Sequence, residues 1–195
     1  MTRLVALPTG VGEPRNLTRP GMDYVAHLPG FGQGIWFPDS RRVMFTAEEK
    51  GGPIRVYVQD IDGGDPRALG PPGIMGQLVS PDGRAFIAAG PDGSQSYPVD
   101  GGTPTPLRGL EKGDTPIQWS ADGRSIFCRR DKGSGVEVFA LEMATGRRTL
   151  LWTLAPADLA GTTGVDTVRV TPDGRSYAYG FFRTVAELYL ADGLK

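Results

Sequence analysis

The side chains that could carry out a reaction are few and far apart in the sequence. The chain contains one histidine, His27, and one cysteine, Cys128. A catalytic triad or a typical zinc site would have to use that histidine, and no Gly-x-Ser-x-Gly elbow accompanies it. A lone histidine in a loop is most often a polar surface group, and Cys128 has no second cysteine for an intramolecular disulfide. The sequence therefore predicts no catalytic residue.

Two short segments resemble ligand loops without meeting the requirements of such loops. Residues 60–65 read Asp-Ile-Asp-Gly-Gly-Asp, but the spacing is not that of an EF-hand and no distal Glu completes it. Residues 30–34 read Gly-Phe-Gly-Gln-Gly, but they lack the third glycine spacing, the preceding strand and the following helix of a dinucleotide loop. A hairpin turn and a flexible connection are the simpler interpretations. We therefore predict no metal and no cofactor.

Composition and charge limit the classes of function. The 195 residues carry a formal net charge of −1, with 39% hydrophobic and 22% charged residues, as in an ordinary folded domain. The basic excess or stripe expected of a nucleic-acid surface does not occur. The apolar run at 4–7 is too short for a signal peptide, and no segment approaches the ~20 apolar residues of a membrane span. We expect no nucleic-acid partner and no membrane segment in this chain, with cytoplasm and periplasm both open.

A repeated turn motif is the most informative feature of the sequence. Its aspartates stand at positions 39, 82, 122 and 173, with spacings of 43, 40 and 51 residues. A period of ~40–45 residues is that of a four-stranded propeller blade, and an insertion at 155–164 explains the longer last interval. Asp bonds its own downstream backbone and Gly supplies φ > 0, with Ser40 replacing Gly in the first copy. The turns are defined by Asp39, Asp82, Gly83, Asp122, Gly123, Asp173 and Gly174.

Short apolar strands precede and follow each turn, so the predicted fold class is all-β: a β-propeller of four-stranded antiparallel blades. One domain spans 1–195, with a half blade at 1–20 and blades at about 33–70, 76–108, 115–153 and 166–195. Pro98 predicts that the third strand of the second blade is short or at an edge. Either Arg15–Leu17 completes the last blade and closes a small ring, or the chain belongs to a larger propeller. The extra strand at 4–7 favours the larger propeller.

The Ser/Thr-Pro-Asp-Gly-Arg hairpin, preceded by Trp119 or an apolar equivalent, resembles the TolB-like, WD-type propeller repeat over essentially the whole chain. This resemblance implies a fold and no particular activity, since the same blades serve many roles. The ending 186–195, Ala-Glu-Leu-Tyr-Leu-Ala-Asp-Gly-Leu-Lys, is similar to the last strand of the C-terminal propellers of some bacterial serine/threonine protein kinases. The kinase motifs themselves do not occur, so that resemblance implies only a sensor or scaffold part.

The segments that break the repeat are the predicted recognition sites, because blades tolerate insertions in loops and partners bind there. The first is 22–34, with Tyr24, His27 and Phe31 as the candidate partner-binding residues. The second is 154–166, in which 156–160 is expected to form one helical turn. The alternative for both segments is a plain connection between blades.

The leading functional prediction is a non-catalytic scaffold that binds a protein or peptide. It would be the C-terminal sensor or interaction part of a larger bacterial signalling or envelope protein. One alternative is a propeller associated with a serine peptidase or other hydrolase, and another is a propeller that binds a small ligand. Open blade edges would also permit a homodimer.

Overall fold

The computed structural model describes residues 3–24 and 34–186, and within those ranges the regular elements are β-strands. Seventeen strands, β1 to β17, form antiparallel sheets that follow one another along the chain. The predicted all-β class, built of antiparallel blades, is confirmed. No helix in the described ranges is long and apolar enough to cross a membrane.

The N-terminal strands form a separate half blade. β1 (Val5–Ala6) pairs with β2 (Arg15–Asn16), and the Leu17 N–H donates to the Leu4 carbonyl at 2.9 Å. Leu4 packs against the core of the next sheet rather than against the last one. Among the described strands β2 pairs with β1 alone. The strand of the last blade that Arg15–Leu17 would pair with lies outside the described residues, so both alternatives, ring closure and a larger propeller, stay predictions.

The first full blade has an innermost strand in two pieces. Tyr24 lies opposite Ala47, and Ile35 lies opposite Met44, so both pieces pair with the same neighbouring strand. The blade therefore begins at Met22 instead of about 33, a start that the irregular sequence between the two pieces concealed. Its strands are β3 (Met22–Tyr24), β4 (Ile35–Trp36), β5 (Arg42–Glu49), β6 (Ile54–Asp60) and β7 (Gly63–Leu69).

The second and third blades are complete four-stranded sheets. Pro98 is the last residue of β10, opposite Ala85, and β10 pairs with a strand on each side. The prediction that this strand is short or at an edge is therefore wrong, because a terminal proline leaves the ladder of the other positions intact. The strands are β8 (Met75–Val79), β9 (Ala85–Gly90), β10 (Gly93–Pro98), β11 (Thr105–Pro106), β12 (Asp114–Trp119), β13 (Ser125–Lys132), β14 (Gly135–Glu142) and β15 (Arg148–Leu154).

The last blade is described by its first two strands, β16 (Thr162–Val170) and β17 (Tyr177–Arg183). β16 takes up the end of the segment predicted as an insertion. The helical turn predicted at 156–160 does not form, because the Asp158 carboxylate accepts the Ala160 N–H at 2.9 Å and supports an extended turn instead. The third strand predicted at 187–190 lies outside the described residues.

Apolar side chains fill the space between successive blades. Neighbouring residues on a strand point to opposite faces. In β9, Phe86 and Ala88 therefore enter the core shared with the first blade, while Ile87 enters the core shared with the third. Phe127 and Val168 belong to the next core, between the third and last blades. The described blades thus pack face to face against their sequence neighbours, which is the packing of a propeller.

Candidate functional site

The predicted recognition segment leaves and re-enters the innermost strand of the first blade. Its described flanks are β3 and β4, which pair with the two ends of the same strand, β5. Innermost strands surround the central channel of a propeller, so the segment departs from a position beside that axis. His27 and Phe31 lie outside the described residues, and their contact with a partner stays a prediction.

Tyr24 occupies the base of that segment and is a core residue. Its side chain is 6% exposed, and its ring lies 5.1 Å from that of Phe45. The hydroxyl donates to the Leu17 carbonyl at 3.3 Å and accepts the Arg19 N–H at 2.9 Å. Burial raises the pKa of the phenol, against the opposing effects of the Arg19 N–H and charge. Tyr24 therefore ties the segment to the half blade with a buried side chain, and its contact with a partner stays a prediction.

The repeated turns share one hydrogen-bond pattern. In the second blade, the Asp82 carboxylate accepts the Ser80 hydroxyl at 2.6 Å and the Arg84 N–H at 3.0 Å. The Ser80 oxygen in turn accepts the Ala85 N–H at 2.9 Å. These bonds, the Ser80 hydroxyl first and the Arg84 N–H next, lower the pKa of Asp82. The carboxylate is thus held in its charged form by its own turn.

The third and fourth turns repeat this arrangement. Asp122 accepts the Arg124 N–H at 3.0 Å and the Ser120 hydroxyl at 2.7 Å, and these bonds lower its pKa, the Arg124 N–H most. Asp173 accepts the Thr171 hydroxyl and the Arg175 N–H, and the hydroxyl is the larger cause of its lowered pKa. The motif residues therefore shape hairpins in every copy.

The first turn differs from the others in two residues: Phe37 stands where they have Ser or Thr, and Ser40 stands where they have Gly. Ser40 has a φ of 57°, and Gly83 at the equivalent position has a φ of 68°. Ser40 is the one non-glycine residue with positive φ in the described ranges. Burial opposes ionisation of Asp39, but the Arg41 N–H and the Arg42 side chain at 2.6 Å outweigh it, and the pKa of Asp39 is lowered. The serine therefore adopts the glycine conformation that the repeat requires.

Successive turns also touch one another along one rim. A Cβ added at Gly83 would lie 3.5 Å from the Pro38 ring, and one added at Gly123 would lie 3.8 Å from the Pro81 ring. The Ala121 N–H donates to the Pro172 carbonyl at 2.7 Å, joining the third turn to the fourth. The motif thus contributes both to the hairpin within a blade and to the stacking of blades.

The acidic segment 60–65 is a hairpin turn in the structure. The Asp60 carboxylate accepts the Asp62 N–H at 2.8 Å, and Asp62 forms an ion pair with Arg15 at 2.6 Å. Residues 3–24 and 34–186 hold no group of three or more His, Cys, Asp or Glu side chains placed to bind a metal ion. The Asp60 carboxylate is thus engaged in turn formation, and the Asp62 carboxylate in contact with the half blade.

A buried ion cluster lies on the face of the third blade that contacts the second. The Asp114 side chain is fully buried and receives Arg130 Nε at 2.7 Å and Arg148 Nη1 at 3.0 Å. Glu111 bridges the same two arginines from the surface, and the hydrogen bond from Arg130 is the main cause of its lowered pKa. The Arg148 guanidinium also lies over the Phe139 ring, 4.0 Å from its centroid. The sequence repeat contained no signal for this cluster, since its members belong to a single blade.

The cysteine is placed where it is chemically protected. Cys128 is fully buried in the core between the second and third blades. Burial, and next the charge of Asp114, raise the pKa of its thiol. A thiol held in its neutral form is a poor nucleophile, so Cys128 acts as a packing residue.

The last blade presents an exposed apolar surface that sequence reasoning missed. The second strand of each blade has a residue, five positions after the turn Asp, that faces the following blade: Met44, Ile87 and Phe127 are all at most 5% exposed. The equivalent Ala178 is exposed, and on the same face Phe182 is 65% exposed. We call this face, formed by Ala178, Gly180 and Phe182, the terminal patch. The signal for this patch in the sequence is that residues 177–182 do not alternate with charged residues, so both faces of β17 lack charged side chains.

No protein-family model matches the chain. No curated protein matches it. Solved structures do match. TolB from Acinetobacter baumannii is 21% identical with a TM-score of 0.56, over 85% of this chain and 45% of that protein. A putative TolB from Agrobacterium tumefaciens is 19% identical with a TM-score of 0.57, over 86% and 57% of the two chains. A structure of prolyl endopeptidases is 15% identical with a TM-score of 0.52, over 79% and 26%.

These likenesses define the class of fold. The chain is a run of β-propeller blades with the architecture of TolB-like propellers, as the turn motif predicted. It spans about half the length of the TolB structures that it matches, 45% of one and 57% of the other. Identities of this size carry the fold and not the activity.

Proposed function

We propose that this chain is a non-catalytic propeller scaffold that binds a protein or peptide partner. It would work as the sensor or interaction part of a larger bacterial signalling or envelope protein, such as a serine/threonine kinase with a C-terminal propeller. Its blades would be of the WD-type repeat that the turn motif resembles. The observation that carries the proposal is the terminal patch.

The patch supports this proposal through its position and its chemistry. The residue five positions after the turn Asp is buried against the following blade in the first three blades. The face that carries the terminal patch therefore has the shape and polarity of a blade-packing surface. Phe182 is 65% exposed there, next to the small residues Ala178 and Gly180, which leave room for an incoming side chain. Contiguous exposed apolar surface of this kind marks interaction sites.

The state of the acidic groups agrees with a scaffold. Asp82, Asp122 and Asp173 have lowered pKa values because their turns hold them as carboxylates. A general acid or base needs a pKa shifted toward neutrality, which is the opposite direction. These carboxylates are therefore suited to structure.

A second candidate is a propeller that accompanies a hydrolase. The match to prolyl endopeptidases favours it, with a TM-score of 0.52 over 79% of this chain. The coding sequence next to this chain separates the candidates: a kinase domain upstream favours the scaffold, and a hydrolase domain downstream favours the second candidate.

The test of the terminal patch as an association surface is the mass of the chain in solution, measured by light scattering on a sizing column for the wild type and for Phe182→Ser. We expect the wild type to exceed its 20.8 kDa chain mass as concentration rises, and the variant to shift toward the monomer. Leu150→Ser is the matched control, because Leu150 is also exposed but lies outside the patch and outside both predicted recognition segments. A wild type that stays monomeric at all concentrations, or a control that acts like Phe182→Ser, would contradict the terminal patch as an association surface.

A further inference from the structure

Each contact between successive described blades joins the same two positions of the repeat. One is the residue five positions after a turn Asp, and the other is the residue three positions before the next turn Asp. In every case both residues belong to the apolar core between the two blades. The three pairs are Met44 with Val79, Ile87 with Trp119, and Phe127 with Val170. The repeat thus places one fixed residue pair at every blade contact.

The series leaves one position open at each end of the described row. At the N-terminal end it is Trp36, which is 49% exposed although Trp119 at the equivalent position is 8% exposed. At the C-terminal end it is Ala178 in the terminal patch, which is exposed although Ile87 at the equivalent position is buried. The two ends therefore carry opposite halves of the contact that is complete within the row.

Trp36 lies on the outer face of the first blade, where the half blade covers only part of the surface. It is opposite Val43, which shares a face of β5 with Phe45, and Phe45 belongs to the core against which Leu4 of the half blade packs. The polar contacts of the half blade lie at the outer hairpin of β6 and β7. The inner part of the face, at Trp36, is therefore left open to solvent.

The two open residues complement each other in size. Ala178 is the smallest of the four residues at its repeat position, and Trp36 is equalled at its own position by Trp119 alone. Gly180, next to Ala178 on the same face, has nothing within 4 Å of an added Cβ, so the terminal patch has room for a large ring. Well-packed interfaces need such a match of volumes, and a tryptophan that fills a recess in the partner is a frequent anchor of protein interfaces.

We infer that the terminal patch packs on Trp36 of a second copy of this chain, and that two such contacts close a dimer. Each copy offers one patch and one Trp36, so a two-fold axis makes the two contacts identical. The chain spans 45% of one TolB structure and 57% of another, so two copies make a row of blades about as long as one such propeller. A closed row has no exposed ends. The inference rests on the proposed association through the terminal patch and names the surface that the patch meets.

The experiment exchanges the sizes of the two residues. Trp36→Ala removes the ring from one side of the contact, and Ala178→Trp fills the recess on the other side. Each variant alone should therefore raise the dissociation constant of the dimer at least about tenfold, as measured by light scattering of the full chain over a range of concentrations. Both positions are exposed within one chain, so the melting temperature should stay near that of the wild type. Ala178→Leu takes the place of Ala178→Trp if the larger residue prevents folding.

Mixing the two variants tests direct contact between the two positions. In a mixed dimer, one contact joins the two unchanged residues and the other joins the two substituted residues, so a small side chain meets a large one in both. An equimolar mixture of Trp36→Ala and Ala178→Trp should therefore recover the mass of the wild-type dimer, although neither variant does so alone. Leu150→Trp is the matched control, because it adds a tryptophan at an exposed position outside the patch and should dimerise like the wild type.

Four results would overturn the inference, each with a different meaning. A mixture that stays monomeric like its components would exclude direct contact between the two positions. A wild-type mass that keeps rising above two chain masses would mean an open row instead of a closed dimer. A mass that falls in Phe182→Ser but not in Trp36→Ala would mean that the patch meets another surface, and the proposed association through the patch would stand. A wild type that is monomeric at every concentration would refute both.

Discussion

Ser40 shows how strongly the repeat constrains a single backbone position. The turn requires a left-handed residue there, and the serine adopts a φ of 57° where the second copy has glycine at 68°. A side chain in this conformation brings its Cβ close to a backbone oxygen, a cost that glycine avoids. An ion pair between Asp39 and Arg42, at 2.6 Å, offsets part of this cost.

Ser40→Gly should therefore stabilise the chain. Relief of the left-handed strain, less the greater backbone entropy of glycine in the unfolded chain, leaves a gain of about 0.5–1 kcal/mol. For a chain of this size, that corresponds to a rise in melting temperature of about 1–4 °C. Urea unfolding measures the change in free energy, and thermal unfolding measures the change in melting temperature.

Gly83→Ser is the matched control, since it introduces the first turn's residue into the second turn. A Cβ at Gly83 meets its nearest neighbour at 3.5 Å, an ordinary contact, so the backbone conformation alone decides the result. Gly83→Ser should lower the free energy of unfolding by about 0.5–1 kcal/mol, the amount by which Ser40→Gly raises it. Changes of the same sign in the two variants would show that φ is not the deciding factor.

Among the elements, the third blade combines a buried charge with a buried apolar face. Asp114 starts β12, Arg130 lies opposite it in β13, and Arg148 starts β15. One fully buried carboxylate thus connects three strands of the sheet. Removing a member of such a cluster leaves an uncompensated charge in a low-dielectric environment.

Asp114→Ala should destabilise the chain by about 3–5 kcal/mol, the usual cost of breaking a buried ion pair. Glu111→Ala removes the other acid of the cluster, which is exposed, and should change the free energy of unfolding little. Both values come from urea unfolding of the purified variants. Asp114→Asn keeps the shape of the side chain and covers the case in which the alanine variant does not fold. Equal effects of the Asp114 and Glu111 variants would mean that the cluster is solvent-screened throughout.

The elements also show where sequence reasoning succeeds and where it fails. The turns were predictable because each needs particular residues at fixed offsets, and Asp82 and Gly83 meet those needs locally. The two-piece innermost strand of the first blade was not predictable, because β3 has three residues and takes its conformation from pairing with β5. The buried position of Tyr24 and the cluster around Asp114 depend on residues distant in sequence, and a periodic pattern contains no information about them.

On the scale of the whole molecule, the described blades form a row in which each contacts its sequence neighbours. The second and third blades are enclosed on both faces by apolar cores. The first blade is covered on its outer face by the half blade through Leu4. The two described strands of the last blade have one face covered by the third blade and the terminal patch on the other. Stability in such arrays is a sum of each unit and its interfaces.

This arrangement predicts a gradient of amide hydrogen exchange along the chain. Amides of β9 and β13, in the enclosed blades, should exchange most slowly, those of β5 more quickly, and those of β17 most quickly of all. The reason is that local opening of a blade costs the free energy of the interfaces it breaks, and the last blade breaks the fewest. Exchange measured by mass spectrometry on peptides from the native chain, at a pH and temperature where reclosing is faster than chemical exchange, gives the order of opening free energies directly.

A variant that strains one blade interface, with a matched control, tests the exchange gradient further. Gly174→Ala would place a Cβ 2.9 Å from the Phe127 ring at a φ of +67°, and so strains the contact between the third and last blades. It should accelerate exchange in β17 strongly, in β13 less, and in β9 hardly at all. Gly180→Ala, where an added Cβ meets nothing within 4 Å, should leave the gradient unchanged. Equal protection of all blades, or a uniform response to Gly174→Ala, would mean that the chain opens as one cooperative unit, and the description of it as a row of blades would then be wrong.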